Sequence, residues 1–412
     1  MVLATARTVN GSISQTLLNI EHVTGSAGND TIHGDASDNS IAGGDGADTI
    51  SGGAGNDVLD GGNNVDWLSY ASSTGTVIAN MTTGTTTNDG LGGSDSISGF
   101  EHFIGGINND QITGTAADNT ILAGNGDDTI FATTGNDTYD GQSGSGDWVN
   151  YSNGSFSSLS VVLNNATSSA TINGGTYTHS ISGIEHIVGT GGNDTITGDN
   201  SANTIQSGAG ADTIFTNSGD GNDVLDGGAN TDILNYNNAT GSITSASLHG
   251  SGTSTISTSG GDTDTISGFE DLRLTNNADS ITIDTDALND FTNINGGNGS
   301  DTVAVLGGGG NNLTDNSLDG LQFANVFHNV EVLDFRNTSI TGGDTFDITN
   351  GQAASIANGV GSTLTFYVNT GTMGFNDFNI TASSGTIASD TQDGSHREVT
   401  FSDGTHIVIQ SM

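Results

Sequence analysis

Aspartate is the residue whose type and spacing in this chain can do chemistry. Residues 25–69 divide without remainder into five nonapeptides, GSAGNDTIH, GDASDNSIA, GGDGADTIS, GGAGNDVLD and GGNNVDWLS, with the template GGxGxDxUx in which U is apolar. An oxygen-bearing side chain therefore returns every ninth residue, as Asp30, Asn39, Asp48, Asp57 and Asp66. The period recurs from Gly105 (GGINNDQIT, GTAADNTIL, AGNGDDTIF, ATTGNDTYD) with Asp110, Asn119, Asp128 and Asp137. It recurs again from Gly189 (GTGGNDTIT, GDNSANTIQ, SGAGADTIF) with Asp194, Asn203 and Asp212, and one further copy at Gly296 carries Asp301. Asp147, Asp223 and Asp232 extend the rows less regularly, since Gly144-Ser145-Gly146 adds a residue before Asp147 and residues 216–226 make an 11-residue turn around Asp223.

The last three residues of each nonapeptide, xUx, form a short strand with one apolar side chain inward, and GGxGxD turns the chain. Two turns make one coil, so residues 18 apart stack on the same side: Asp30, Asp48 and Asp66 in one row, Asn39 and Asp57 in another, then Asp110 with Asp128, Asn119 with Asp137, and Asp194 with Asp212. Gly25, Gly43, Gly52, Gly61, Gly105 and Gly189 open turns where a Cβ would block close approach of the next coil. Rows of carboxylates and backbone carbonyls are hard oxygen donors, suited to Ca2+ rather than to zinc or copper. Without a cation such columns repel: carboxylates one strand apart, ~4.8 Å, oppose each other by about 3 kcal/mol at an effective dielectric of about 20. Asn39, Asn119 and Asn203 bring an oxygen but no charge, so their sites should bind more weakly.

The elements that position these rows repeat on a longer period. Each block ends in a D-[WI]-x-x-Y segment (66–70, 147–151, 232–236), read as a strand that closes the roll. An alternating Thr/Ser-rich stretch follows and ends in SDSISGFEHF, THSISGIEHI or TDTISGFEDL, the pattern of a small antiparallel meander. Glu21, Glu101, Glu185, Glu270 and Glu331 recur at spacings of 80, 84, 85 and 61 residues, which makes the chain a tandem array. The expected organisation is a partial meander at 1–19 with an open edge, roll-plus-meander units at 20–99, 100–183 and 184–268, a degenerate unit at 269–330, and a β-rich C-terminal domain at 331–412. The fold class is all-β: tandem parallel β-rolls alternating with small meanders.

Composition narrows the partners. The formal charge is −43, with four Arg and no Lys, so nucleic acid and anionic membranes are excluded unless cations intervene. No stretch approaches 18 apolar residues, which argues against membrane insertion, and the absence of Cys excludes a disulfide framework. The Gly, Asn, Ser, Thr and Asp content would suit a disordered acidic tract, but the nonapeptide period is not a property of such tracts. Neither HExxH nor GxSxG is present, so no catalytic residue is assigned and the expectation is a protein without enzymatic activity. His22, His102 and His186 copy one strand position after the recurrent Glu and are read as structural. Trp67, Tyr70, Trp148 and Tyr151 are read as core caps rather than as a carbohydrate platform.

Over residues 20–305 the repeats resemble the RTX family of hemolysin-type calcium-binding repeats. The resemblance implies a parallel β-roll with several Ca2+ between successive loops, held by the position-six Asp and loop carbonyls. It also implies type I secretion, with an uncleaved C-terminal signal and folding in external calcium. The expected function is an extracellular calcium-binding structural protein that self-assembles at the cell surface, as a surface-layer or matrix subunit. The alternative is an RTX secretion and folding module of a larger toxin, enzyme or adhesin; a cell-surface glycan is a further possible ligand.

Overall fold

A computed structural model of the chain describes residues 14–16, 21–153, 156–163, 168–216, 219, 221–249, 253–284, 287, 290–306, 326–335, 346–357, 362–368, 378–382 and 386–411. They fall in two compact regions, residues 1–196 with 204–208, and residues 197–203 with 209–412. Most of the partial meander expected at 1–19 lies outside the described residues.

In the first region, one wall runs through Ser14–Thr16, Thr31–His33, Thr49–Ser51, Trp67–Ser69, His102–Ile104, Thr120–Asn125, Thr138–Ser143 and Tyr177–Ser182, each parallel to the next. The other wall begins with His22–Thr24, Ser40–Asp45, Val58–Asn63 and Asp95–Ser98. It resumes at Val77–Asn80 and continues through Gln111–Thr113, Thr129–Phe131, Trp148–Asn150, His186–Val188 and Thr204–Gln206. Thr31 pairs with Thr49 and Ser40 with Val58, the 18-residue register that two nonapeptides per coil require.

The meanders are built into these walls. Val77–Asn80, Thr85–Asp89 and Asp95–Ser98 are antiparallel neighbours, and the outer two pair in parallel with the coils on either side. Three strands return the chain to its starting direction, so parallel stacking can resume. The second meander, Leu159–Val162, Ser168–Ile172 and Tyr177–Ser182, joins the opposite wall. The D-[WI]-x-x-Y strands, expected to close each roll, do not close it. Trp67–Ser69 and Trp148–Asn150 are paired on both sides, because the strand after each recurrent Glu takes the edge they would have left open.

The second region repeats the scheme. Thr213–Phe215, Ile233–Asn235, Asp271–Arg273, Asn293–Asn295 and Phe327–His328 stack in parallel. Opposite them a third meander, Ile243–Leu248, Ser254–Thr258 and Thr263–Ser267, links Val224–Asp226 to Ser280–Asp284. That wall continues through Thr302–Leu306, Val332–Asp334, Thr363–Val368 and His406–Ser411 and ends in the antiparallel strands His396–Phe401 and Ile387–Gln392. A short helix, Asn350–Ile356, is present, and no described helix is long and apolar enough to cross a membrane.

The core is one side chain deep. Ile41, Ile50, Leu59 and Leu68 are buried, as are Ile112, Ile121 and Ile130, with Tyr70, Tyr151 and Tyr236 at the block ends. Burying one Ile or Leu contributes roughly 1.5–3 kcal/mol, whereas ordering the backbone of nine residues costs on the order of 10 kcal/mol. Apolar burial alone does not hold a coil of this kind.

Candidate metal centre

The sixth-position side chains form hydrogen-bonded ladders along both sides of the roll. The Asp30 N–H donates to Asp48 Oδ1 and the Asp48 N–H to Asp66 Oδ1, both at 2.7 Å. The other side repeats this from Asn39 to Asp57 at 2.7 Å. In the second block Asp110 donates to Asp128, Asp128 to Asp147 and Asn119 to Asp137 at 2.7–2.8 Å, so the extra residue before Asp147 leaves the ladder intact. In the second region Asp212 donates to Asp232 and Asn203 to Asp223, each at 2.8 Å.

Whether the second carboxylate oxygen is free depends on loop position two. In the first loop of a stack that residue has an ordinary φ, and its N–H turns inward. Ser26 donates to Asp30 Oδ2, Gly106 to Asp110 Oδ2 and Thr190 to Asp194 Oδ2. Asp35, Thr115 and Asp199 likewise close the Oδ1 atoms of Asn39, Asn119 and Asn203. In most later loops, with Thr133 before Asp137 an exception, position two is left-handed, at Gly44 (φ 112°), Gly53 (93°), Gly62 (103°), Gly124 (120°), Gln142 (66°), Gly228 (86°) and Gly297 (86°). The N–H then points elsewhere, and Oδ2 of Asp48, Asp57, Asp66, Asp128, Asp147, Asp232 and Asp301 is buried with no hydrogen-bond partner. Glycine serves here because a left-handed φ costs it nothing.

These open oxygens face backbone carbonyls. A Cβ on Gly43 would collide with both Asp48 Oδ2 and the Gly61 carbonyl oxygen, and one on Gly141 or Gly296 would meet the Asp147 or Asp301 carboxylate and the carbonyl of Gly183 or Asn329. Gly25, Gly52, Gly61, Gly105 and Gly189 sit the same way against Asp30, Asp57, Asp66, Asp110 and Asp194. Among the described residues no three His, Cys, Asp or Glu side chains converge on one point. The donor set is one carboxylate with main-chain oxygens, which fits a hard cation of flexible coordination such as Ca2+ and does not fit zinc.

Burial without a counter-charge shows in the acidities. Desolvation, opposed by the ladder hydrogen bond and reinforced by neighbouring carboxylates, pushes Asp57, Asp66, Asp147 and Asp232 up to about 6 and Asp128 and Asp301 up to about 7. Carboxylates held this way demand either protons or a cation.

Several members of the ladders were given no metal-site or ladder role from the sequence, although the recurrent Glu marked the tandem period and Asp279 sits in a degenerate copy of the turn (LTNNADSIT). Asp66, Asp147, Asp232 and Asp301 donate their N–H groups to Oε2 of Glu101, Glu185, Glu270 and Glu331 at 2.8–3.0 Å, so the recurrent Glu ends each ladder. Asp95 and Asp264 do the same for Asp57 and Asp223, and each also accepts a hydrogen bond from Tyr70 or Tyr236 at 2.6 Å. Asp279 joins the ladder below Asp301. The signal was present for Asp95: GLGGSDSIS, residues 90–98, fits GGxGxDxUx at positions one, four, six and eight. Thr120 and Thr204 donate to Nδ1 of His102 and His186 at 3.0 and 2.8 Å, and the two rings pack on Trp67 and Trp148 at 4.6 and 4.7 Å.

Against known proteins, the RTX calcium-binding nonapeptide repeat matches residues 19–50, 33–68, 104–139, 180–214 and 217–239. The chain carries RTX calcium-binding repeats. The RTX matches contain the ladders of the first two blocks up to Asp137 and most of the third, and they leave out the copy at Gly296 and residues 69–103. No curated protein matches the chain. The chain is similar to the crystal structure of the extracellular lipase LipA from Serratia marcescens at 15% identity and a TM-score of 0.18, over 55% of this chain and 37% of that one. A likeness that slight carries no argument about fold or activity. RTX repeats bind Ca2+ in several copies, and the oxygen-only donor set described above fits that cation.

Proposed function

We propose that the chain is a calcium-folded structural protein of the extracellular surface, exported by type I secretion, self-associating and without catalytic activity of its own. The observation that carries the reading is the series of buried carboxylate oxygens without a protein partner. Oδ2 of Asp48, Asp57, Asp66, Asp128, Asp147, Asp232 and Asp301 would ligate Ca2+ together with loop carbonyls. Bound Ca2+ supplies the positive charge that lets neighbouring coils stack. The four Arg cannot supply it, since the chain carries 47 acidic residues against them. Folding then follows the calcium concentration, and millimolar levels outside the cell favour it where the cytosol does not.

Support for self-association comes from a wall edge. Ile387–Gln392 pairs with His396–Phe401 along one side and is exposed along its whole length, and among the described residues no strand pairs with its other side, which leaves main-chain groups for another strand. The test is a calcium titration of chelated protein, followed by far-ultraviolet circular dichroism and light scattering in one sample. β-signal rising together with large particles supports the assembling surface protein. β-signal without particles overturns self-assembly and leaves a folding module of a larger secreted protein; neither change overturns calcium-coupled folding itself.

A further inference from the structure

The first meander contains a buried carboxylate that no nonapeptide accounts for. Asp89 ends the strand Thr85–Asp89 and is fully buried. Its Oδ1 accepts the N–H groups of Leu91, Gly92 and Gly93 at 2.7–2.8 Å, which fixes the carboxylate in the turn. Ser73 Oγ donates to the Asp89 carbonyl and anchors the strand end from the other side. Oδ2 is left buried with no hydrogen-bond partner, and among the described residues no Arg or His pairs with it.

The free oxygen points at another oxygen. A Cβ on Gly93 would lie 2.8 Å from Asp89 Oδ2 and would collide with the Gly55 carbonyl oxygen. Two oxygens that both touch the place of one missing carbon lie within the roughly 5 Å that a single Ca2+ spans at Ca–O distances of about 2.3–2.6 Å. Gly55 is the fourth residue of the GGAGND loop, whose own Asp57 Oδ2 is open as well. Asp95, one coil on, accepts the Asp57 N–H at 2.9 Å. The turn 90–95 therefore stacks on loop 52–57 as a further loop of the roll, and Asp89 brings to that junction a carboxylate that no repeat loop has.

We propose that this junction is a cation site of its own, in which Asp89 Oδ2 and the Gly55 carbonyl oxygen bind one Ca2+ that pins the first meander to the roll. The choice of cation rests on the calcium reading of the repeats; Gly55 lies within an RTX match, whereas Asp89 lies outside the matches and its open oxygen is observed independently of them. A carboxylate at this position is particular to the first block, although the third meander buries another, Asp262, whose Oδ2 also has no hydrogen-bond partner, two residues before its ladder residue Asp264. Six residues before the ladder position, where Asp89 precedes Asp95, the second block has Asn173 before His179 and the third has Thr258 before Asp264.

The test is equilibrium dialysis of the full chain at saturating Ca2+, comparing wild type, Asp89→Asn and Asp60→Asn. Asparagine keeps the Oδ1 contacts to the turn and removes the charge; Asp60 is an exposed carboxylate in the same block. The expected result is one Ca2+ fewer per chain for Asp89→Asn alone, with β-signal still induced by calcium. An unchanged count in folded Asp89→Asn overturns the site. Should that variant fail to fold, calcium anomalous scattering from wild-type crystals decides: a peak between Asp89 and Gly55 supports the site, and peaks at the repeat loops without one there overturn it. Absence of any calcium on the wild type would instead overturn the proposed function.

Discussion

The first and second blocks share a register and a meander, yet they treat the same buried carboxylate in opposite ways. In the first block Asp57 sits below Asp95 with Asp89 close by, and its Oδ2 has no donor. In the second block the matching Asp137 is served from within the protein. Tyr139, at the core position that Leu59 holds in the first block, reaches out and donates its hydroxyl to Asp137 Oδ2 at 2.6 Å. Thr133, at loop position two, adds its hydroxyl at 3.4 Å and donates its N–H to the Tyr139 oxygen. His179 replaces Asp95, lies 3.4 Å from Asp137 Oδ2, and stacks on Tyr151. A cation-dependent junction and a hydrogen-bonded one thus occupy equivalent places on the same scaffold. The difference lies in side chains, since the strand pairing around both is alike.

The largest effect expected from this contrast is on calcium withdrawal. Hydrogen exchange after chelation should deprotect Val58–Asn63 before Thr138–Ser143, by about tenfold or more, equivalent to at least ~1.4 kcal/mol of local opening free energy. Equal protection in the two strands would erase the distinction. Next in size, His179→Asp should convert the second block to the first type, with a lower metal-free melting temperature and a higher calcium midpoint for folding. Tyr139→Phe should strip Asp137 of its best donor and cost about 1–3 kcal/mol in chemical denaturation of the calcium-loaded protein. The matching Leu59 has no such role to lose.

A smaller effect is expected from pH on metal-free protein. Aspartates whose folded values stand above the ordinary one, about 6 for Asp57 and Asp66, contribute stability that is complete below about pH 4 and lost as pH rises through 6. Acidifying from pH 7 to 5 should therefore stabilise the first block. In the second, Asp137 is raised to about 6, but burial lowers His179 to about 4, so its contribution is present above about 6.5 and lost as pH falls. The two trends oppose at that junction, and Thr138–Ser143 should respond less than Val58–Asn63 when followed by hydrogen exchange at the two pH values. The smallest change is Asn39→Asp, which adds one charge to a closed position and should raise calcium affinity only a few-fold, measured by calorimetry.

The all-β roll was legible in the sequence because nine-residue periodicity leaves one geometry: a Gly-rich turn, a three-residue strand and an 18-residue register. The rows of Asp30, Asp48 and Asp66 and of Asn39 and Asp57 follow from that register alone. The meanders were also legible as alternation, but their insertion into the roll walls was not, since strand order within a sheet depends on which edges remain free. That is also why Trp67–Ser69 could be taken for a closing strand.

The candidate sites divide along a similar line. Composition and spacing determined that this chain brings many oxygen donors and almost no cations, and hence needs a metal. Only the tertiary structure decided which aspartates stay open, because that depends on the φ of a neighbouring residue: Gly106 and Gly124 are both glycines at loop position two, yet Gly124 alone is left-handed. It also decided that Asp89 meets Gly55 and that Tyr139 meets Asp137. Hydrogen-bond satisfaction is a property of three-dimensional neighbours, and a linear period does not encode it.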